Sequence, residues 1–489
     1  MRRLRVLASA AAVLVAGTSG YAALDAYDRV PGILTIASPA EVPQPSGASG
    51  PSAAAPSANL PAGAAPSATV PVTVPPAAPL AGLDRTAPRP SRAVLASRLS
   101  GVLRDPRLGG SVGMVVRDGA TGKELFGRAG DTPRTPASTT KLLTAAASLG
   151  ILGPAATTTT RVVQGGTARS VVLVAGGDSL LGTGKGNPDT VSSRAGLGDL
   201  AAQVATALLT QQVRSVQVGL DDHIAAGPRY APGWLAADIA EGFTGPVTML
   251  GLSNRRAVRG RAAPADPAMV ATQAFVAALQ AHGVAVTGAV RRTRAAAHAV
   301  QLGAVTSAPV AEVLGVALIS SDNALTETVA RRAAVQAGDG SSFGEVAAFV
   351  VRTVRHLGID VSGVRLVDAS GLSRGSAIPP RVLVDVLDLA ADGHDPALQQ
   401  VVARLAVAGV SGTLKARFHA ASAHAAAGVA RAKTGTLTGV SAVAGTVVDR
   451  DGRLLTFAVQ ADQIPAAGGQ AARAALDRVV ATLAGCGCR

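Results

Sequence analysis

Three short polar motifs stand in order along the chain: Ser138-Thr139-Thr140-Lys141, Ser321-Asp322-Asn323 and Lys433-Thr434-Gly435, the last followed by Thr436. A serine hydroxyl is a poor nucleophile until a neighbouring base takes its proton. Residues three apart at a helix start share one face, so Ser138 and Lys141 can touch. A lysine buried near other cations sheds its proton more readily and can be that base. Lysine usage sharpens the reading. The chain has 45 basic residues, yet its only lysines are Lys123, Lys141, Lys185, Lys415 and Lys433, and two of these lie inside the motifs. Arginine serves for a solvated charge but cannot lose its proton, so a lysine kept at 141 points to an amine that must. Lys433 fits a compact fixed charge equally well.

Each motif also has an ordinary reading. Ser138 can cap a helix beside a solvated Lys141, and either Asp322 or Asn323 can be a helix cap. Lys433 to Thr436 can be a polar edge strand. The chemical reading is more specific. Ser138 attacks, Lys141 takes its proton, and the Ser321 hydroxyl relays a proton between Lys141 and a leaving amine. Asn323 holds substrate backbone and the Lys141 side chain. Lys433, Thr434 and Thr436 bind a terminal carboxylate.

The elements that must position these groups are legible in outline. Pro136 and the Ser-Thr-Thr run mark the start of a helix expected from about Ser138 to Leu149. A helix ending at Ile319-Ser320 and another beginning at Ala324 leave the second motif in the loop between them. The third motif is expected to open an edge strand, beside which an extended peptide can pair, and Gly435 permits close backbone approach. Ser111 to Val116 and Lys123 to Phe126 form a hairpin pattern with Asp118-Gly119 and Thr121-Gly122 in the turn, and Gly439 to Val448 and Leu454 to Val459 form another around Asp451-Gly452. Helices are expected over Arg92 to Leu103 and Gln470 to Leu483. Hairpins and helices from the two ends are expected to share one antiparallel sheet, interrupted by an αβ insertion.

Composition bounds the rest. The hydrophobic fraction is 48% but aromatics are only 2%, so the core must rest on Ala, Val and Leu. The net charge of +14 suits an anionic partner or reflects a bias toward Arg. Scarce aromatics and the lack of zinc-finger spacing argue against nucleic acid. Cys486 and Cys488 form a terminal Cys-Gly-Cys that is either oxidised locally or free, and no metal site is expected there. Arg2, Arg3 and Arg5 precede an apolar run from Val6 to Leu24, the pattern of an export signal, cleaved or kept as an anchor. The positive end stays inside, which places the bulk of the chain outside the cytoplasm, secreted or anchored and facing the cell wall. A Pro/Ala/Ser-rich stretch follows, which cannot bury a core and reads as a tether. The expected organisation is signal or anchor 1–24, linker 25–90, first part of the main domain 91–160, insertion 161–303 and second part 304–489.

Together the motifs resemble the serine penicillin-binding proteins and β-lactamases, and more closely the class C penicillin-binding proteins, the D-Ala-D-Ala carboxypeptidase/endopeptidase family. Further segments carry the closer resemblance: Val174 to Leu180, Tyr230-Ala231-Pro232-Gly233-Trp234, Asp368-Ala369-Ser370-Gly371-Leu372-Ser373-Arg374 and Gly409 to Leu414. The resemblance spans about Ser91 to Leu483 and implies an α/β (α+β) transpeptidase-like fold. It implies that Ser138 forms an acyl-enzyme with the penultimate D-Ala of a peptidoglycan stem peptide ending in D-Ala-D-Ala, with Lys141 as base and Ser321 aiding departure of the last D-Ala. It further implies an oxyanion hole made by the backbone N–H groups of Ser138 and Thr436, each donor contributing about 3 kcal/mol. No metal or organic cofactor is implied, β-lactams acylate the same serine, and the membrane is met only through the N-terminal segment. The interval from Lys141 to Ser321 is shorter than in well-known members, which implies one insertion rather than two nested ones. Ala369 and Gly375 depart from the family's signature in a supporting loop.

Two other readings share these motifs. A secreted class A β-lactamase needs a deacylating Glu on a loop after the second motif, and His356 to Val364 contains none. A non-catalytic wall-binding or β-lactam-sensing protein keeps the fold but has no need of an intact nucleophile and base.

Overall fold

The computed structural model describes residues 86–487. The export segment, nearly all of the linker and Cys488 lie outside the described residues.

Helix α1 (Arg92–Val102) leads into a hairpin of β1 (Val112–Asp118) and β2 (Glu124–Arg128). The Asp118 carboxylate closes the turn by accepting from the Ala120 N–H and the Thr121 hydroxyl. A 3-10 turn (Ala137–Thr140) then runs into α2 (Lys141–Leu152).

Residues 159–306 build a second sheet: β3 (Thr159–Gln164), β4 (Ser170–Val174), β5 (Asp178–Leu181), α3 (Leu197–Thr210), β6 (Ser215–Asp221), the short α4 (Ala236–Ala240), β7 (Leu250–Leu252), α5 (Pro267–Ala281), β8 (Ala285–Val286), β9 (Arg291–Arg292) and β10 (Gln301–Thr306). Its strand order is β10-β3-β4-β6-β8, with β9 beside β6, while β5 and β7 pair separately. The β4–β6 pair is parallel and β3 runs antiparallel to both of its neighbours, so the sheet is mixed.

The chain then forms α6 (Val310–Ser320), α7 (Asn323–Gln336), α8 (Phe343–His356), α9 (Pro380–Ala391) and α10 (Pro396–Ala403). It closes with β11 (Ala406–Val407), β12 (Ala430–Leu437), β13 (Val440–Val448), β14 (Leu454–Ala461) and α11 (Gly469–Ala484). The main sheet has the order β11-β12-β13-β14-β1-β2 and every pair in it is antiparallel. Strands from the two ends of the chain therefore meet at β1–β14, with Met114 opposite Val459 and Val116 opposite Phe457.

Both faces of this sheet are covered, which explains why its strands are apolar almost without interruption. Side chains alternate across a strand. Met114, Val116, Val443, Phe457 and Val459 pack under α1 and α11. Val115, Ala444 and Ala458 pack on the other side against the layer of α2 and α6 to α10. On that side α9 lies against β1, β13 and β14, while the 3-10 turn that carries Ser138 meets β12 and β13 and so brings the first motif to the third. At the turn end, Arg453 donates twice to Asp118, both at 2.7 Å, and both side chains are buried. The second sheet has its own core of Val162, Leu173, Val218, Leu220 and residues from α3 and α5, which Phe343 and Leu372 of the main body join.

Two local expectations need correction. The helix expected from Ser138 begins as a 3-10 turn, because the Thr139 and Thr140 hydroxyls bond back to the Pro136 and Ala137 carbonyls at 2.7 and 2.9 Å and tighten that turn. The third motif does not open its strand. Lys433 to Thr436 lie in the second half of β12, and β11 covers the first half by pairing Ala406 with Ala432 and Val407 with Arg431. Of the described residues, only the motif's half of that edge faces no strand. Cys486 is buried and disulfide-bonded.

Candidate active site

The three motifs converge. The Lys141 ammonium lies 3.0 Å from the Ser138 hydroxyl, 2.6 Å from the Asn323 side-chain oxygen and 2.8 Å from the Ser370 carbonyl. The Lys433 ammonium donates to the Ser321 hydroxyl and to the Thr434 carbonyl, both at 2.9 Å. Thr434 in turn donates to the Thr413 hydroxyl at 2.9 Å. Lys141 is 1% exposed and Lys433 is fully buried, whereas Ser138 and Ser321 are half-buried and Thr436 is exposed. The two amines are thus buried, while the hydroxyls they touch are open to solvent.

Backbone geometry at two of these positions is unusual. Ala137, next to the nucleophile, has φ +48°, and Ser321 has φ +58°. Left-handed conformations are uncommon outside glycine, and such strain collects at functional sites. Ser321 is left-handed because it ends α6 while the next residue, Asp322, caps α7 by accepting from the Leu325 N–H at 2.8 Å. The cap of the second motif is therefore Asp322, which frees Asn323 for Lys141. Two glycines let the backbone close on the serine turn. A Cβ at Gly435 would lie 2.5 Å from the Pro136 carbonyl oxygen, and one at Gly371 would lie 2.0 Å from that of Ala137.

Burial tunes the charges. Desolvation pushes Lys141 down to about 8, against the opposing pull of Asp368, Glu327 and Asp322. Lys433 is held well below its ordinary value by burial and then by the neighbouring charge of Lys141. At pH 7 about a tenth of Lys141 is then a free amine within hydrogen-bond reach of a hydroxyl, which is the requirement for a base.

The structure adds residues that motif reasoning passed over. Glu327 is 1% exposed, accepts the Ser370 N–H at 2.7 Å, and is raised to about 8 by burial and then by Asp368. Its spacing carried a usable signal: Asn323, Glu327 and Arg331 recur every four residues and share one face of α7. Arg331 is buried with its guanidinium over the Phe343 ring. The insertion reaches the site at two points of the second motif. The Phe243 carbonyl accepts from the Asn323 amide at 2.8 Å, and Arg256 Nε donates to Asp322 at 2.9 Å. Nothing in the local sequence around 243 or 256 announces those partners.

The chain and its fold match known proteins. The D-Ala-D-Ala carboxypeptidase 3 (S13) family matches residues 95–259 and 252–483. Carboxypeptidase DacB of Mycolicibacterium smegmatis is 38% identical over 413 residues, which cover 83% of this chain and 87% of that protein. The D-alanyl-D-alanine carboxypeptidase of an Actinomadura species is 29% identical over 443 residues, covering 73% and 79% of the two chains. The fold matches the crystal structure of penicillin-binding protein 4 from Haemophilus influenzae with a TM-score of 0.64 at 18% identity, over 78% of this chain and 97% of that one. A half-open hydroxyl on a partly deprotonated buried amine, on an α/β transpeptidase-like fold, is the equipment of a serine hydrolase. With nearly the whole described chain matched, it belongs to the D-Ala-D-Ala carboxypeptidase 3 (S13) family and is a serine-type carboxypeptidase.

Proposed function

We propose that this protein hydrolyses the terminal D-Ala-D-Ala bond of peptidoglycan stem peptides through an acyl-enzyme on Ser138. The observation that carries the reading is the 3.0 Å contact of a buried, pKa-lowered Lys141 with the half-exposed Ser138 hydroxyl. Ser138 Oγ attacks the penultimate D-Ala carbonyl while its proton passes to Lys141. The carbonyl oxygen becomes an oxyanion facing the N–H groups of Ser138 and Thr436, on two segments that Gly435 allows to touch. The C–N bond then breaks, and the departing amine receives a proton through Ser321, which Lys433 holds. The substrate's terminal carboxylate lies toward Lys433, Thr434 and Thr436, and its arrival favours the charged form of Lys433. Asn323 keeps Lys141 aligned and binds substrate backbone. Water finally splits the ester, with Lys141 again taking a proton.

β-Lactams mimic the acylated end of this substrate and acylate Ser138. A neighbour of the same fold, the Haemophilus penicillin-binding protein 4, is known in complex with a β-lactam. Export through residues 1–24, cleaved or retained, would place the enzyme outside the cytoplasm with the tether reaching toward the wall. The test is incubation with a labelled penicillin, digestion and mass analysis, in parallel with release of D-Ala from a synthetic stem peptide. Wild type gives an adduct on the peptide bearing Ser138 and frees D-Ala; Ser138→Ala gives neither. Binding of wall peptide without D-Ala release would support a sensing protein, and rapid release of the penicilloyl product a β-lactamase.

A further inference from the structure

The chain has one tryptophan, and the insertion carries it. Trp234 is 7% exposed, and its ring meets Phe343 edge-on at 5.3 Å and Tyr230 at 6.4 Å between centroids. Its indole N–H donates to Asp368 Oδ2 at 2.8 Å. The Ser373 N–H shares that oxygen at 2.7 Å. The other carboxylate oxygen accepts the Gly371 N–H at 2.6 Å and the Ser370 N–H at 3.1 Å. The peptide unit joining Ser370 to Gly371 is thereby gripped at both ends. Its N–H is on Asp368, and its carbonyl receives the Lys141 ammonium at 2.8 Å. Asp368 is completely buried, so each of its donors matters for holding a charge there.

We propose that Trp234 is a positioning residue of the reaction: by holding the Asp368 carboxylate it fixes the peptide that orients Lys141, and so couples the insertion to the base. The inference rests on the reading of Lys141 as the base. An indole N–H offsets part of the negative field that Asp368 exerts on Lys141. Without it the ammonium form is favoured and a higher pH is needed to free the amine. The other titratable groups facing Lys141 are Glu327 on α7, Asp322 at its cap and Lys433 on β12, and the N–H of Trp234 reaches none of them.

The experiment measures the rate of acylation by a labelled penicillin against pH, using the full chain as wild type, Trp234→Phe and Phe343→Leu. Phenylalanine at 234 keeps an aromatic body in the cluster and removes the N–H. Leucine at 343 loosens the same cluster and keeps it. Trp234→Phe is expected to move the acidic limb upward by about one pH unit and to lower the rate at pH 7 about tenfold, since a unit of pKa is a tenfold change in free amine. Phe343→Leu is expected to leave the limb in place. An unmoved limb in Trp234→Phe, or an equal shift in both variants, overturns the proposal. The wild-type chain offers a second measure. The emission of its single indole must titrate with the midpoint of acylation, and constant emission across that midpoint also overturns it. A wild type that no penicillin acylates at any pH refutes the base reading itself, which these other outcomes leave standing.

Discussion

Gly435→Ala isolates how closely the carboxylate-gripping strand must press on the nucleophile. A methyl group at 435 would lie 2.5 Å from the Pro136 carbonyl oxygen and 3.2 Å from the Ala137 Cβ. An ordinary carbon–oxygen contact needs about 3.3 Å, so β12 and the serine turn must separate by about 0.8 Å. Neither side yields cheaply, because both obstacles are tied to backbone: Ala137 is in a left-handed conformation and β12 is bonded along its length to β13. A misplacement near 1 Å in a catalytic constellation lowers rates on the order of 10²-fold, while overpacking costs about 1–3 kcal/mol of stability. The assay is the second-order rate constant for labelled-penicillin acylation, with thermal melting recorded beside it. The expected result is a loss of about 100-fold in acylation with a folded protein and an unmoved pH limb, since Lys141 keeps its partners. Gly150→Ala is the matched control: nothing lies within 4 Å of its Cβ, in the last turn of α2. Alanine there should leave acylation unchanged and stabilise the helix by up to about 1 kcal/mol. Acylation of Gly435→Ala within twofold of wild type would refute the argument that strand and serine turn are in register through this contact.

The remaining predictions concern the buried charges. Because the base acts as a free amine and Lys141 is pushed down to about 8, wild-type acylation should rise as pH rises through about 8 and level off above it. Lys141→Arg retains a cation that cannot deprotonate, so acylation should fall on the order of 10³-fold at every pH, and recovery at high pH would refute the base role. Glu327 titrates in the opposite sense for stability. The native state holds its proton up to about 8, whereas the unfolded chain releases it near 4.5, so this group's contribution to stability falls as pH rises across that window. Glu327→Gln keeps an oxygen for the Ser370 N–H and removes the titration. Its melting temperature relative to wild type should therefore climb between pH 5 and pH 8, read by calorimetry, and a constant difference would show that Glu327 is already ionised in the folded protein.

Much of the chemistry was written locally. Ser138 and Lys141 are three residues apart, and any helical or 3-10 turn brings them to one face. Asp118-Gly119 and Asp451-Gly452 announce hairpins, and the apolar stretches from 112 to 116, 440 to 448 and 454 to 459 announce their strands. Those features follow from interactions within a few residues, and a local pattern carries them. The support of the site does not. The Trp234–Asp368 bond joins groups 134 positions apart, and the Lys141–Asn323 bond joins groups 182 apart. Periodicity reveals that Glu327 shares a face with Asn323, but not that a peptide N–H from the loop at 370 waits opposite. Likewise the alternation of β12 could not reveal that β11 covers one half of its edge and that, among the described residues, no strand lies on that side of the motif's half. Side-chain type and spacing specify which groups can do chemistry; burial and long-range closure set their proton affinities, because desolvation depends on everything packed around a charge and not on its neighbours in the chain.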